Sequence, residues 1–86
     1  MNSKEVLEAY MKAFGENLKK VRIKEFEHMS DVAKHSAYNK SNYNKFELGK
    51  GNPTIESILK IASVLKVDPK ELFNFEFDME KHPIDD

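Results

Sequence analysis

The segment NKSNYNKFELGKGNPTIESILKIASVL, residues 39–65, carries the clearest structural signals in this chain of 86 residues. Asn39 is a favourable helix N-cap, and Tyr43 and Phe46 then follow one turn apart, on one face of the helix that Asn39 would start. The run GKGNP at residues 49–53 ends this helix, because glycine and proline favour turns. The segment therefore predicts a short helix, a turn and a second helix.

The second helix of this segment is predicted to begin after Thr54, which can accept a hydrogen bond from a free backbone N–H of its first turn. Its apolar residues repeat at spacings of three and four, and they are Ile55, Ile58, Leu59, Ala62 and Leu65. A further start signal follows, with Asp68 as the cap, Pro69 at the first helical position and Glu71 completing a capping box. The sequence thus predicts a short last helix after Asp68.

Two helices are predicted upstream. Asn2 or Ser3 can cap the first, whose apolar stripe consists of Val6, Leu7, Tyr10, Met11, Phe14, Leu18 and Val21. The second is short, with Met29, Val32 and Ala33 on one face. The fold class expected is therefore all-α, with five helices.

The C-terminal residues follow a different pattern. Phe75, Phe77 and Met79 alternate with polar residues, and a period of two predicts a short β-strand. The chain then divides into a helical extension over residues 1–13, a domain over residues 14–74, and a strand with an acidic tail over residues 75–86.

Charge is distributed unevenly along the chain, although its net value is only -1. Residues 12–50 carry nine basic and five acidic side chains, whereas residues 71–86 carry one lysine and six acidic side chains. This asymmetry favours a basic face in the middle of the chain and an acidic tail, although an ordinary mixed surface gives the same counts. No apolar run approaches a membrane span, and no secretory signal is visible, so we expect a cytoplasmic protein.

Catalytic and metal chemistry find little support in the sequence. The chain has no cysteine, and its three histidines lack the spacing of metal ligands. Gly49 and Gly51 are not followed by the Lys-Ser/Thr pair of a phosphate-binding loop. We therefore expect neither an enzyme nor a bound cofactor or metal.

Taken together in order, the residues from Phe14 to Phe73 resemble the Xre/Cro/CI family of helix-turn-helix regulators. The matching positions are Phe14-Gly15, Leu18, Val21-Arg22, Val32-Ala33, Tyr43, Phe46-Glu47, Gly49-Lys50, Asn52-Pro53, Ile58-Leu59, Ala62, Leu65, Val67 and Glu71-Leu72-Phe73. The resemblance implies a lambda-repressor-like domain that binds double-stranded operator DNA as a homodimer and regulates transcription.

The resemblance also assigns roles within the motif. Residues 28–36 would form its first helix and residues 39–47 its recognition helix, whose N-terminal side chains meet base edges in the major groove. The side chains expected at the DNA are Asn39, Lys40, Ser41, Asn42, Asn44 and Lys45, with Lys50 and Asn52 in the following turn. Lysine suits guanine and asparagine suits adenine, although such residues also serve simply to solvate an exposed helix.

The same resemblance implies one internal ion pair, and the sequence differs from the family pattern at three positions. Arg22 is expected to pair with Glu47 inside the domain, where arginine can bind a carboxylate through two nitrogens. Ala37 and Phe26 replace glycines of the family pattern, and Met29 replaces the polar residue that helps to hold a phosphate. These departures bear on the geometry of residues 25–30 and on one phosphate contact.

Dimerisation is expected through the end of the domain, where apolar side chains exceed what a thin core can hide. The predicted interface consists of Leu65, Val67, Leu72, Phe73, Phe75 and Phe77, with Met79 beside them. The strand would either pair with its two-fold mate or fold back onto the first helix, near Val6, Leu7 and Tyr10. A protein-interaction module of the same fold, such as an antitoxin or an adaptor, is the alternative function, but polar residues at 39–45 favour DNA.

Overall fold

The structure is a computed structural model that describes residues 1–34 and 40–86. Its longest helix, α1, runs from Ser3 to Ile23. Its start is a capping box: the Asn2 side chain accepts from the Glu5 N–H at 2.8 Å, and the Glu5 carboxylate accepts from the Asn2 N–H at 3.1 Å. The helix continues through Gly15 without a break. Residues 3–13 are therefore the first half of α1.

Three shorter helices pack around the second half of α1. They are α2, Met29–Lys34; α3, Lys40–Glu47; and α4, Ile55–Leu65. Thr54 caps α4 as predicted, since its hydroxyl accepts from the Ser57 N–H at 3.1 Å. Helices α2 and α3 contact each other, and α3 also contacts α1, so α3 connects α2 to the long helix.

The predicted fifth α-helix is instead a 3-10 helix, Pro69–Phe73. Asp68 caps it through the Lys70 N–H at 2.9 Å, but the Glu71 N–H bonds to the backbone oxygen of Asp68, which is the tighter 3-10 pattern. The Asn17 side-chain amide donates hydrogen bonds to the backbone carbonyls of Glu71 and Leu72, at 2.9 and 3.0 Å. This short helix is thereby fixed to α1 and ends after five residues.

The core lies between α1 and the other helices. It is built from Phe14, Leu18, Val21, Val32, Tyr43, Phe46, Ile58, Ile61, Ala62, Leu65 and Leu72. Phe26 and Met29 pack against its edge. Among the described residues, no helix has the length and apolar character needed to cross a membrane.

The predicted C-terminal strand is wrong. Residues 74–78 form no regular element, and a second 3-10 helix, Met79–Lys81, follows them. The alternating apolar side chains pack on α1: the Tyr10 ring lies 5.1 Å from that of Phe75 and 4.9 Å from that of Phe77. An extended segment can bury one of its faces against a helix without any strand partner, which explains why the alternation did not signal a sheet.

The end of this segment reaches the start of α1. The Asp86 carboxylate accepts hydrogen bonds from both the N–H and the hydroxyl of Ser3, at 2.8 and 2.7 Å. These bonds lower the pKa of Asp86 below its ordinary value. A negative charge at this position also suits the positive end of the helix dipole. Residues 75–86, hereafter the C-terminal segment, therefore lie along the N-terminal half of α1.

Candidate nucleic-acid interface

Helix α3 has one face anchored in the core and another exposed. Tyr43 and Phe46, one turn apart, are buried against α1 and its neighbours. Asn42 and Lys45 are exposed on the other side, and Asn44 is half-buried with its Oδ1 atom lacking a hydrogen-bond partner in the described part of the chain. The aromatic anchors thus present amide and ammonium groups outward.

Arg22 joins α1 to the last residue of α3. Its Nε donates to Glu47 Oε2 at 2.7 Å and its Nη2 to Glu47 Oε1 at 3.1 Å, which is a bidentate pair. The side chains are only 5% and 3% exposed. The hydrogen bonds that the Glu47 carboxylate accepts raise the pKa of Arg22, so the guanidinium remains charged.

The same guanidinium also holds the loop that precedes α2. Its Nη1 donates to the carbonyls of Phe26 and Glu27, at 3.1 and 2.6 Å. Arg22 therefore fixes the entry to α2 and the end of α3 together. These bonds, with the packing of Phe26 and Met29 against the core, define the region where the sequence departs from the family pattern.

The Tyr43 hydroxyl is buried close to this ion pair. It makes no hydrogen bond with any described residue. Burial, and secondly the Glu47 carboxylate, raise the pKa of Tyr43 far above its ordinary value of 10.0. The phenol therefore stays neutral beside the Arg22–Glu47 pair.

The turn after α3 is a Schellman motif with Gly49 in the left-handed region, at φ 74°. The Gly49 N–H bonds to the Phe46 carbonyl at 3.2 Å, and the Lys50 N–H bonds to the Lys45 carbonyl at 2.9 Å. A Cβ added to Gly49 would lie 2.7 Å from the Lys12 Cα atom, so the glycine also permits close contact with α1. Lys50 and Asn52 follow in this turn, and both are exposed.

Gly15 allows an equally close approach between α1 and the end of α3. A Cβ at this position would lie 2.5 and 2.6 Å from the carbonyl oxygens of Glu47 and Phe46. The backbone of α3 therefore rests directly on α1 at its C-terminal end. Arg22, Gly15 and Gly49 together set the position and tilt of α3.

Several of the predicted DNA contacts lie outside the described part of the chain. Asn39 and Ala37 fall in residues 35–39, and the side chains of Lys40 and Ser41 are likewise not described. Those that the structure does describe lie on α3 or the turn after it, and they are Asn42, Asn44, Lys45, Lys50 and Asn52. The polar phosphate ligand that the family has at Met29 has no counterpart there, because Met29 packs against the core.

The predicted dimer residues are placed differently from what the sequence suggested. Leu65 and Leu72 are buried in the core of their own chain, and Phe75 and Phe77 pack on Tyr10. Val67 is half-buried against the core, whereas Phe73 and Met79 are exposed. The 3-10 helix and the C-terminal segment use these side chains internally, because α1 extends far enough to cover them.

Among residues 1–34 and 40–86, no three histidine, aspartate or glutamate side chains converge on a point where a metal ion would bind.

The helix-turn-helix family model matches residues 28–72, which span α2, α3, α4 and most of the first 3-10 helix. This match covers more than half of the chain, and the chain belongs to this family, the Xre/Cro/CI-type helix-turn-helix DNA-binding regulators. No curated protein sequence matches it significantly.

Among solved structures, the restriction-modification controller protein C.AhdI from Aeromonas hydrophila is similar to this chain, with 30% sequence identity and a TM-score of 0.72. The similarity covers 77% of this chain and 96% of C.AhdI. The identity and the near-complete coverage of C.AhdI extend the relationship beyond the two helices of the motif.

Proposed function

We propose that this protein is a sequence-specific transcription regulator of the controller type, which reads operator DNA in the major groove with α3 and acts in the cytoplasm as a homodimer. The observation that carries the proposal is the charge arrangement on α3. Its one carboxylate, Glu47, is neutralised inside the domain by Arg22, whereas Asn42 and Lys45 are exposed. A helix that presents cations and amides without carboxylates suits a surface of phosphates and base edges.

Within this proposal, Asn42 and Lys45 read bases or hold phosphates, and Asn39, Lys40 and Ser41 are further predicted contacts at the start of the helix. Asn44 contributes less, because it is half-buried. Lys50 and Asn52 would contact the DNA backbone, since they follow the C-terminal end of α3 rather than its N-terminal end.

A homodimer is supported by apolar side chains that the monomer leaves exposed. Ile55 is 80% exposed and Leu59, one turn later on α4, is 54% exposed. They lie beside the buried stripe of α4, and Phe73, on the 3-10 helix that packs on α4 and α1, is 41% exposed. We assign this α4 face, defined by Ile55, Leu59 and Phe73, to a second copy, because a two-fold contact buries the same patch on both chains.

Selection of bound duplexes from a pool of randomised DNA tests this function directly. The expected product is a two-fold symmetric motif whose half-sites are separated by one helical turn, about 34–36 Å. Recovery of no preferred sequence would contradict sequence-specific binding, and recovery of an unrepeated half-site would contradict the dimer.

Substitution of Lys45 by alanine then locates the reading surface. We expect a loss of about 1–3 kcal/mol in binding the selected motif if Lys45 contacts a base. Lys20→Ala is the matched control, since Lys20 is also exposed but lies on α1 beside Asn74 and Glu76. Equal affinities for the two variants would exclude this role for Lys45.

A further inference from the structure

Three exposed lysines surround the turn between α3 and α4. Lys45 is the last basic residue of α3, and its carbonyl accepts from the Lys50 N–H at 2.9 Å, so these two residues adjoin across the Schellman turn. The third is Lys12, from the N-terminal half of α1, whose backbone packs directly on Gly49. The fold thereby brings Lys12 close to residues that lie 33 and 38 positions later in the sequence.

None of these lysines is committed to a carboxylate in the described part of the chain. Its ion pairs with distances up to 4.0 Å do not include Lys12, Lys45 or Lys50. Glu8 and Glu16 lie one helical turn on either side of Lys12 and are exposed, but neither is within that distance. The cluster is therefore available to an external anion.

The acidic C-terminal segment is held away from this cluster. It packs on Tyr10 of α1, through Phe75 and Phe77. With 3.6 residues per turn, Tyr10 and Lys12 project about 200° apart, on nearly opposite sides of α1. The Tyr10 side chain, on which the acidic segment packs, thus projects away from Lys12.

We propose that Lys12 binds a phosphate of the DNA backbone, as a contact supplied by the first half of α1 and outside the helix-turn-helix motif itself. The proposal rests on the proposed function of α3. A helix of eight residues is about 12 Å long, and the major groove is about 12 Å wide. When the N-terminal residues of α3 meet base edges, the turn at its other end lies at the wall of the groove, where the phosphates are.

The experiment measures binding of the full chain to a non-specific duplex of about 30 base pairs over a range of salt concentrations, because phosphate contacts act on any sequence. Lys12→Gln should lower the slope of log K against log salt by about 0.9. Between 50 and 200 mM salt, the affinity advantage of the wild type should then shrink by about three- to four-fold. Lys12→Arg should retain the wild-type slope, because the charge is kept.

Lys20→Gln is the matched control, with the same charge change on the same helix but beside the C-terminal segment. A Lys12→Gln slope equal to that of Lys20→Gln, while Lys45→Gln lowers the slope, would overturn the role of Lys12 and leave the proposed function standing. Absence of salt-dependent binding by the wild type, or slopes unaffected by both Lys12→Gln and Lys45→Gln, would overturn the inference together with the proposed function.

Discussion

At the residue scale, Arg22 holds three parts of the chain at once: α1, the loop before α2, and the end of α3. Replacing it with methionine leaves the Glu47 carboxylate buried without its partner. The free energy of unfolding should then fall by about 3–5 kcal/mol, a large fraction of the stability of a domain this size. Urea denaturation followed by circular dichroism measures the change.

An exposed ion pair nearby serves as the control for Arg22→Met. Lys66 and Glu25 lie 3.2 Å apart, but Lys66 is 75% exposed, so Lys66→Met should cost less than about 1 kcal/mol. Adding Glu47→Met to Arg22→Met should recover part of the loss, because no charge then remains buried. Equal denaturation midpoints for Arg22→Met and Lys66→Met would refute the structural role of Arg22.

Tyr43 predicts a dependence of stability on alkaline pH. The folded state keeps its phenol neutral because burial raises the pKa of Tyr43, whereas the unfolded chain ionises near the ordinary value of 10.0. Stabilisation by the neutral phenol is therefore complete below pH 10 and is lost as the pH rises further. The loss approaches about 1.4 kcal/mol per pH unit.

Tyr43→Phe isolates this effect from every other change that alkaline pH causes. At pH 7 the substitution should change stability little, since the hydroxyl has no hydrogen-bond partner among the described residues. Above pH 10 the variant should become progressively more stable relative to the wild type. Parallel stability curves for the two proteins between pH 8 and 11 would show that Tyr43 ionises alike in both states.

At the element scale, the helices were predictable where a local signal marks their ends. Thr54 and Gly49 occupy the cap positions expected of them. Of the predicted α4 stripe, Ile58, Ala62 and Leu65 are buried, whereas Ile55 and Leu59 are exposed. The fifth helix was predicted as an α-helix because its start signal in the sequence is genuine. Its length, however, is set by Asn17, a residue of another element, which the local sequence does not reveal. The C-terminal alternation was likewise mistaken, since Tyr10 rather than a strand covers it.

In the candidate site, too, some contacts were predictable from the sequence and others were not. Arg22 and Glu47 were expected together because the family pattern couples two positions 25 residues apart, and the structure brings them into contact. Lys12 gave no such signal, because its place beside Lys45 and Lys50 depends on close packing against Gly49. Neither hydrophobic periodicity nor a sequence motif predicts a contact that arises only because two backbone segments pack together.

The C-terminal segment should stabilise the first half of α1. Replacing both Phe75 and Phe77 with alanine removes two ring contacts with Tyr10, each worth about 0.5–1.5 kcal/mol beyond the area they bury. Amide hydrogen exchange should accelerate at residues 6–10 of α1 while remaining unchanged in α4. Met79→Ala is the control on the same segment, because Met79 is exposed; acceleration by this variant as well would mean that the rings are not the cause.

At the scale of the whole molecule, basic and acidic stretches that are already separate in the sequence lie on different parts of the fold. The net charge is only -1, yet the acidic C-terminal segment packs on Tyr10, whereas the lysine cluster surrounds the turn after α3. Glu47, which would oppose a phosphate surface, is enclosed with Arg22. A chain that is nearly neutral can therefore still present a cationic surface to DNA.

The proposed assembly of two chains through the α4 face would complete this arrangement, since one α3 alone would read too few bases for useful specificity. Leu59→Glu should abolish the dimer, because a two-fold contact would bring two unpaired carboxylates into an apolar interface. Ile23→Glu is the matched control: Ile23 and Leu59 are both 54% exposed, but Ile23 ends α1. Sedimentation equilibrium at micromolar concentration should show a monomer for Leu59→Glu and a dimer for both Ile23→Glu and the wild type. The Phe75→Ala, Phe77→Ala variant should also dimerise, because those rings face Tyr10 of their own chain. A dimer that survives Leu59→Glu but is lost with Phe75 and Phe77 would instead place the interface on the C-terminal segment.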